Sequence, residues 1–146
     1  MRLVRHALTL ETTTPIAFVD LSDRVRDWVA TAGIRDGLLV VGTLHTTARI
    51  AINEREPKLQ GDMTRFLERL APKGAGYAHD HGALDGRDNG HAHLLSLFLN
   101  TTETIPVVRG ELELGTWQAV FFVELDGPRP QREVRLTLLG ESPAER

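Results

Sequence analysis

The stretch G-L-L-V-V-G-T-L at residues 37–44 runs directly into H-T-T-A-R-I-A-I-N at residues 45–53, and the fold reading starts from these two segments. The first is short, apolar and rich in β-formers, so it reads as a buried strand. In the second, Ala48, Ile50 and Ile52 alternate with Thr47, Arg49 and Ala51, so residues 47–53 read as another strand. His45 stands at the mouth of the first strand. A polar side chain there faces a cleft or is satisfied by hydrogen bonds in the core. The hydroxyls of Thr46 and Thr47 can donate to phosphate oxygens and equally suit β structure. Asn53 could donate to a ligand. Glu54 could act as a base or help start the helix that follows.

Working outward, residues 3–10 alternate as a strand. A helix follows, with Ser22 as N-cap, Val25, Trp28, Val29 and Ala32 on one face, and Gly33 at its end. Pro57 opens a second helix, Met63, Phe66, Leu67 and Leu70 form its apolar stripe, and Pro72 stops it. Residues 73–90 show no periodicity. A short helix is expected next, with Asn89 near its start and His93, Leu94, Leu97 and Phe98 at helical spacing. The last third is β: a strand at 104–108, a turn at 109–111, a return through Leu112, Leu114 and 117–125, a turn at 126–130, and a final strand through Val134, Leu136 and Leu138.

The chain has 146 residues, 41% of them hydrophobic and 25% charged, which suits one globular domain over 1–146. A net charge of −3 argues against nucleic acid as a partner. Arginine outnumbers lysine heavily, which fits phosphate or carboxylate recognition, although genome composition or thermal adaptation accounts for it more simply. The absence of cysteine removes disulfides and thiolate ligands, so any metal must be held by His, Asp, Glu or Asn. No apolar run is long enough to cross a membrane and no signal peptide is recognisable, so the expected compartment is the cytoplasm.

Four of the six histidines, His79, His81, His91 and His93, fall within 79–93, together with Asp80, Asp85, Asp88 and Asn89. Histidine titrates near neutrality and is the commonest metal-binding side chain, so acid–base and metal roles are both open. The H-x-H spacings lack the register of the helical zinc motif. Trp117 offers a flat face to an aromatic ligand or a core contact. Arg129, at the end of a turn, could clamp an anion.

Taken in order, these residues resemble a known family. H-T-T-A-x-I-x-I-N-E (45–54), Y-x-H-D (77–80), N-x-x-x-H-L (89–94), I-P-V-x-x-G-x-L-x-L-G-T-W-Q (105–118) and E-x-D-G-P-R (124–129) look like the YjbQ family, also called the secondary thiamine-phosphate synthase family. The resemblance implies an α+β domain with a β-sandwich-like core of mostly antiparallel strands, two to three helices and a homotrimeric assembly. It implies an activity that joins a pyrimidine pyrophosphate to a thiazole phosphate, giving thiamine phosphate and pyrophosphate. The family's polar positions fall here on His45, Asn53, Glu54, His79, Asp80, His93, Trp117, Gln118 and Arg129. Leu95 stands where a basic residue is common, and His91 where the family often has Asp.

On this reading His45, His79 and His93, with Glu54, are the expected catalytic residues. The three histidines bind phosphates or a divalent metal, with Asp80 and His91 as secondary ligands. Zinc would suit the imidazoles, and magnesium would need the oxygens of Asp80 or Glu54. Thr46, Thr47, Asn53, Asn89, Trp117, Gln118 and Arg129 would contact a phosphorylated small molecule. Two other classes stay open: a metal-dependent hydrolase of a phosphorylated metabolite, and a non-catalytic metabolite-binding protein.

Overall fold

The run A-V-F-F-V at 119–123 is apolar at every position, so a strand formed from it needs cover on both faces. The computed structural model, which describes residues 1–142, supplies that cover. Chain order is β1 (Arg2–Thr12), β2 (Ala17–Asp20), α1 (Ser22–Thr31), β3 (Asp36–Gly42), β4 (Ala48–Glu54), α2 (Pro57–Leu70), α3 (Gly90–Leu95), β5 (Thr102–Val108), β6 (Glu111–Leu112), β7 (Gln118–Glu124) and β8 (Arg129–Glu141). Two 3-10 turns, Ala78–Asp80 and Ser96–Phe98, flank α3. One sheet has the order β1-β8-β3-β5-β6 and the other β2-β7-β4, with antiparallel pairing in both. This is the expected α+β architecture with a sandwich-like core.

The inner faces of the two sheets meet through Leu8, Leu39, Val41, Ile105, Val134 and Leu136 on one side and Ile50, Val120 and Phe122 on the other. Val25 and Val29 of α1 join the same core. The opposite face of β7 presents Phe121, Val123 and Ala119 to Leu67 of α2 and to Ala92 and Leu95 of α3. α3 is therefore pressed onto the outer face of the smaller sheet, which places the histidine segment beside the end of β7.

Several local expectations shift. Ser22 is not the N-cap: it is the first residue of α1, Asp20 accepts from its N–H at 2.9 Å, and its hydroxyl accepts from Val120 N at 2.9 Å. The start of α2 is capped by Glu56, whose carboxylate accepts from Lys58 N and Leu59 N, so Glu54 has no part in it. Of the α2 stripe only Leu67 is buried, while Phe66 and Leu70 remain exposed. β2 has no counterpart in the sequence reading. Among the described residues no helix is long and apolar enough to cross a membrane.

Candidate functional site

Asp126 is a buried carboxylate just beyond β7, and it organises the polar corner there. Arg87 grips it through Nε to Oδ2 and Nη2 to Oδ1, both at 3.0 Å. Arg129 donates from Nη2 to Oδ2 at 2.6 Å and from Nε to the Asp126 carbonyl at 3.0 Å. Asn89 Nδ2 donates to Oδ2 at 2.9 Å. Burial alone would raise the Asp126 pKa, but hydrogen bonds from Arg87, Asn89 and Arg129 hold it far below the usual carboxylate range. Asp126 is thus always ionised near neutrality.

The chemistry of Asp126 fixes its neighbours. An ionised carboxylate only accepts, so Asn89 must turn its NH₂ toward Asp126 and its Oδ1 away. That Oδ1 lies 2.9 Å from His79 Nε2. An amide oxygen also only accepts, so His79 Nε2 carries the proton and its Nδ1 holds the free lone pair. The His93 ring stands edge-on to His79, with centroids 4.8 Å apart and planes at 72°. Asp80 accepts from Gly90 N at 2.9 Å, which pins the turn bearing His79 to the start of α3. His79, His81 and His93 line a cavity of about 470 Å³.

His45 follows the end of β3 and lies beside Arg132, Glu124 and Arg129. Its Nε2 accepts from Glu133 N at 3.1 Å, so in the neutral ring Nδ1 is the donor. Burial and then the charge of Arg132 push His45 below its ordinary value of 6.5. Thr47 is buried and its hydroxyl accepts from Arg132 at 3.0 Å, which commits it to the core rather than to a ligand. Thr46 is exposed. His91 is buried, its Nδ1 has no hydrogen-bond partner, and burial followed by Lys73 lowers its pKa.

A group whose pKa falls on folding stabilises the folded chain above its unfolded value and loses that contribution as pH falls. For His45 and His91 the loss begins as pH drops below 6.5. The carboxylates follow only below about 4. The melting temperature should therefore decline between pH 7 and 5, and less steeply in His45→Gln. A flat profile in that range would contradict the neutral state of both rings in the folded chain.

Two sets of the expected site residues are not brought together within one chain. Among the described residues no group of three or more His, Asp or Glu side chains is placed to hold a metal ion. His45 Nε2 is taken by Glu133 N and one Asp80 oxygen by Gly90 N, while His79 keeps Nδ1 free, so the expected zinc or magnesium set is not gathered at one point in the single chain. The second concerns Asn53, Glu54, Trp117 and Gln118. β4 and β7 pair from Ala48 opposite Glu124 to Glu54 opposite Gln118. At the ~3.4 Å rise of an antiparallel strand, the Trp117 end lies about 20 Å from the Asp126 end. There Asn53 Oδ1 accepts from Glu54 N, Gln118 Oε1 from Gly115 N, and Trp117 is 73% exposed.

Sequence reasoning missed Arg87 and Asp126 as site residues. The D-G-P-R motif contains Asp126 but reads first as a turn, and Arg87 lies in a segment without periodicity.

The family model described as UPF0047 protein YjbQ-like matches residues 6–141. A UPF0047 protein of Methanothermobacter thermautotrophicus is 38% identical over 97% of this chain and 95% of its own length. One from Archaeoglobus fulgidus is 43% identical over 87% of this chain and 95% of its own. Among solved structures, a YbjQ-like protein of unknown function from Sulfolobus solfataricus superposes with a TM-score of 0.90 at 34% identity, covering 96% of this chain and 99% of that one. A hypothetical protein from Aeropyrum pernix K1 gives 0.87 at 40% identity, covering 94% and 99%.

Proposed function

Because this chain belongs to the YjbQ-like UPF0047 family, and because a carboxylate–amide relay orients one of its histidines, we propose that it is an acid–base enzyme of small phosphorylated substrates. The observation that carries the reading is the line Asp126–Asn89–His79, which sets the His79 tautomer next to His93. A histidine with one nitrogen committed and the other free is equipped to take up a proton or, once protonated, to donate one. The imidazole N–H groups on the cavity wall are donors that suit phosphate oxygens.

The specific reaction we propose is the one the family resemblance implies. The thiazole nitrogen attacks the methylene carbon of the pyrimidine diphosphate. The carbon–oxygen bond breaks, and its electron pair leaves with pyrophosphate. Charge grows on that leaving group, where protonated His79, with His93, would donate hydrogen bonds to its oxygens. No step here runs through a metal.

We also infer a homotrimer. Leu44, Leu97 and Phe98 are exposed large apolar residues. Arg49 ties their segments together, donating to His45 O and Ser96 O at 3.0 Å each. A cyclic assembly would cover such a face, and it would give the distant Trp117 end a route to the histidine corner of a neighbour.

The test is direct. Purified chain is incubated with the pyrimidine diphosphate and the thiazole phosphate, thiamine phosphate is quantified, and the active species is sized by light scattering. Turnover should fall about 10²–10⁴-fold in His79→Ala, in a species three times the 16.2 kDa of one chain. Equal turnover in the variant would remove His79 from the mechanism. Phosphate release from simple esters would favour the hydrolase, and saturable binding without product the metabolite-binding protein.

A further inference from the structure

The outer face of the five-stranded sheet carries an apolar row. Residues alternate between the two faces along each strand, and the inner set, with Leu8, Leu39, Ile105 and Leu136, fills the core. In the outer set the registers place four apolar residues side by side. Leu3 of β1 lies opposite Leu139 of β8, Leu139 opposite Leu38 of β3, and Leu38 opposite Pro106 of β5. Leu3, Leu38 and Leu139 are 51%, 50% and 42% exposed. None of the four belongs to a core cluster, and the helices bury Val25, Val29, Leu67, Ala92 and Leu95 elsewhere. A lone exposed leucine is ordinary, but a continuous row across four adjacent strands marks an interaction surface.

The charges on either side of this row differ in sign. On one side, a two-residue step along the strands, Glu141 of β8 lies opposite Asp36 of β3, and β6 adds Glu111 opposite Val108. The same step on the other side reaches Arg5 of β1, opposite Thr137, and a further step reaches Arg135 of β8. Arg135 is held by Glu133, and Arg35 Nε lies 3.5 Å from Asp36. Arg5, Glu111 and Glu141 are exposed and take part in none of the ion pairs among the described residues. Within one chain Arg5 and Glu141 stand four residues apart along the strand direction, about 14 Å, which is too far to pair.

We propose that a second copy of this chain docks on this face, sheet against sheet, about a two-fold axis that runs along the apolar row. That axis reverses the strand direction, so each row lies on the same row of the other copy and both lose apolar surface to water. It also carries the acidic side of one copy over the side of the other that bears arginine. Glu141 then meets the partner's Arg5, and symmetry makes the pair twice. Packed sheets sit about 10 Å apart, a gap that these two long side chains span between them. A two-fold axis along the strands would instead set Glu141, Asp36 and Glu111 against their own copies, and facing like charges oppose it. The row is one residue wide, narrow beside the roughly 1,200–2,000 Å² of a standard stable interface, so docking depends on concentration. It uses neither the Leu44, Leu97 and Phe98 face nor the histidine corner. A trimer built on that face would pair into a hexamer, and a single chain into a dimer.

The experiment is sedimentation velocity of the full chain over a wide range of concentration. The base species, single chain or trimer, should double in mass as concentration rises. Leu38→Lys should remove the doubling. Arg5→Glu and Glu141→Arg should each raise the concentration at half-doubling about tenfold. The double variant restores opposite charges across the axis and should return that concentration close to the parent value. All three positions are exposed, and thermal melting checks that every variant folds. A chain that never doubles overturns the proposal. Doubling that survives Leu38→Lys, or that the double variant fails to recover, places the contact on another face and overturns it as well.

Discussion

Glu124→Ala should cost about 3–5 kcal/mol of unfolding free energy, the loss typical of stripping one partner from a buried ion pair. Glu124 is fully buried and Arg132 is 3% exposed. The carboxylate accepts from Arg132 Nη2 at 2.5 Å and Nε at 2.8 Å, from Thr12 Oγ1 at 2.8 Å, and from Leu125 N and Asp126 N. Burial pulls its pKa upward, yet the Arg132 hydrogen bond, the Asp126 N–H and Thr12 together hold it low. Alanine would leave a guanidinium without a counter-charge in the core. Set against a typical domain stability of about 5–15 kcal/mol, that loss brings the fold near its threshold. Urea denaturation at fixed chain concentration should show a lower midpoint with an unchanged slope. The double variant Glu124→Leu with Arg132→Met should recover part of the loss, because it removes the unpaired guanidinium but leaves Thr12 Oγ1 and Asp126 N without their acceptor. A single-variant cost below about 1 kcal/mol would show that water reaches Arg132.

The sandwich was legible because strands with one buried face alternate, and residues 3–10, 47–53 and 134–138 do so. The last of these paired where alternation alone cannot say: β8 lies between β1 and β3, a choice made by long-range packing. β2 was not legible. Its four residues are all half-buried, so no face stands out, and its strand character comes from pairing with β7. The α2 stripe was read correctly as a stripe. Its core role was overstated, because in a single chain Leu67 alone finds cover.

The site was legible in kind and not in arrangement. Histidine density at 79–93 marked the segment, and Asn89 joined it through a family motif. What the sequence does not display is that Asn89 meets a carboxylate 37 positions later, since that contact depends on α3 packing beside the end of β7. Motif order was also a poor guide to distance. His45 and Glu54 lie in one motif, yet β4 runs between them and carries them to opposite ends of the β4–β7 pair. What each histidine nitrogen faces is likewise set by tertiary contacts, here the backbone N–H of Glu133 for His45 and the amide of Asn89 for His79.

Asn89→Ala should lower turnover about 10²–10⁴-fold, the range seen when an oriented histidine loses the group that sets its tautomer. The cost in stability should be much smaller. The backbone carbonyl of residue 89, which accepts from Ala92 N and His93 N, survives the change, so the start of α3 is kept. Asp126 retains both arginines. Removal of one hydrogen-bonding side chain then costs about 1 kcal/mol. His79, being exposed, exchanges the lost amide for water. Its ring becomes free to carry the proton on either nitrogen. Nitrogen NMR of the neutral ring should show the Nε2–H form alone in the parent chain and a mixture in the variant. A fall in turnover with the tautomer unmoved would make Asn89 a structural residue only. A mixed tautomer with turnover unmoved would take His79 out of the chemistry.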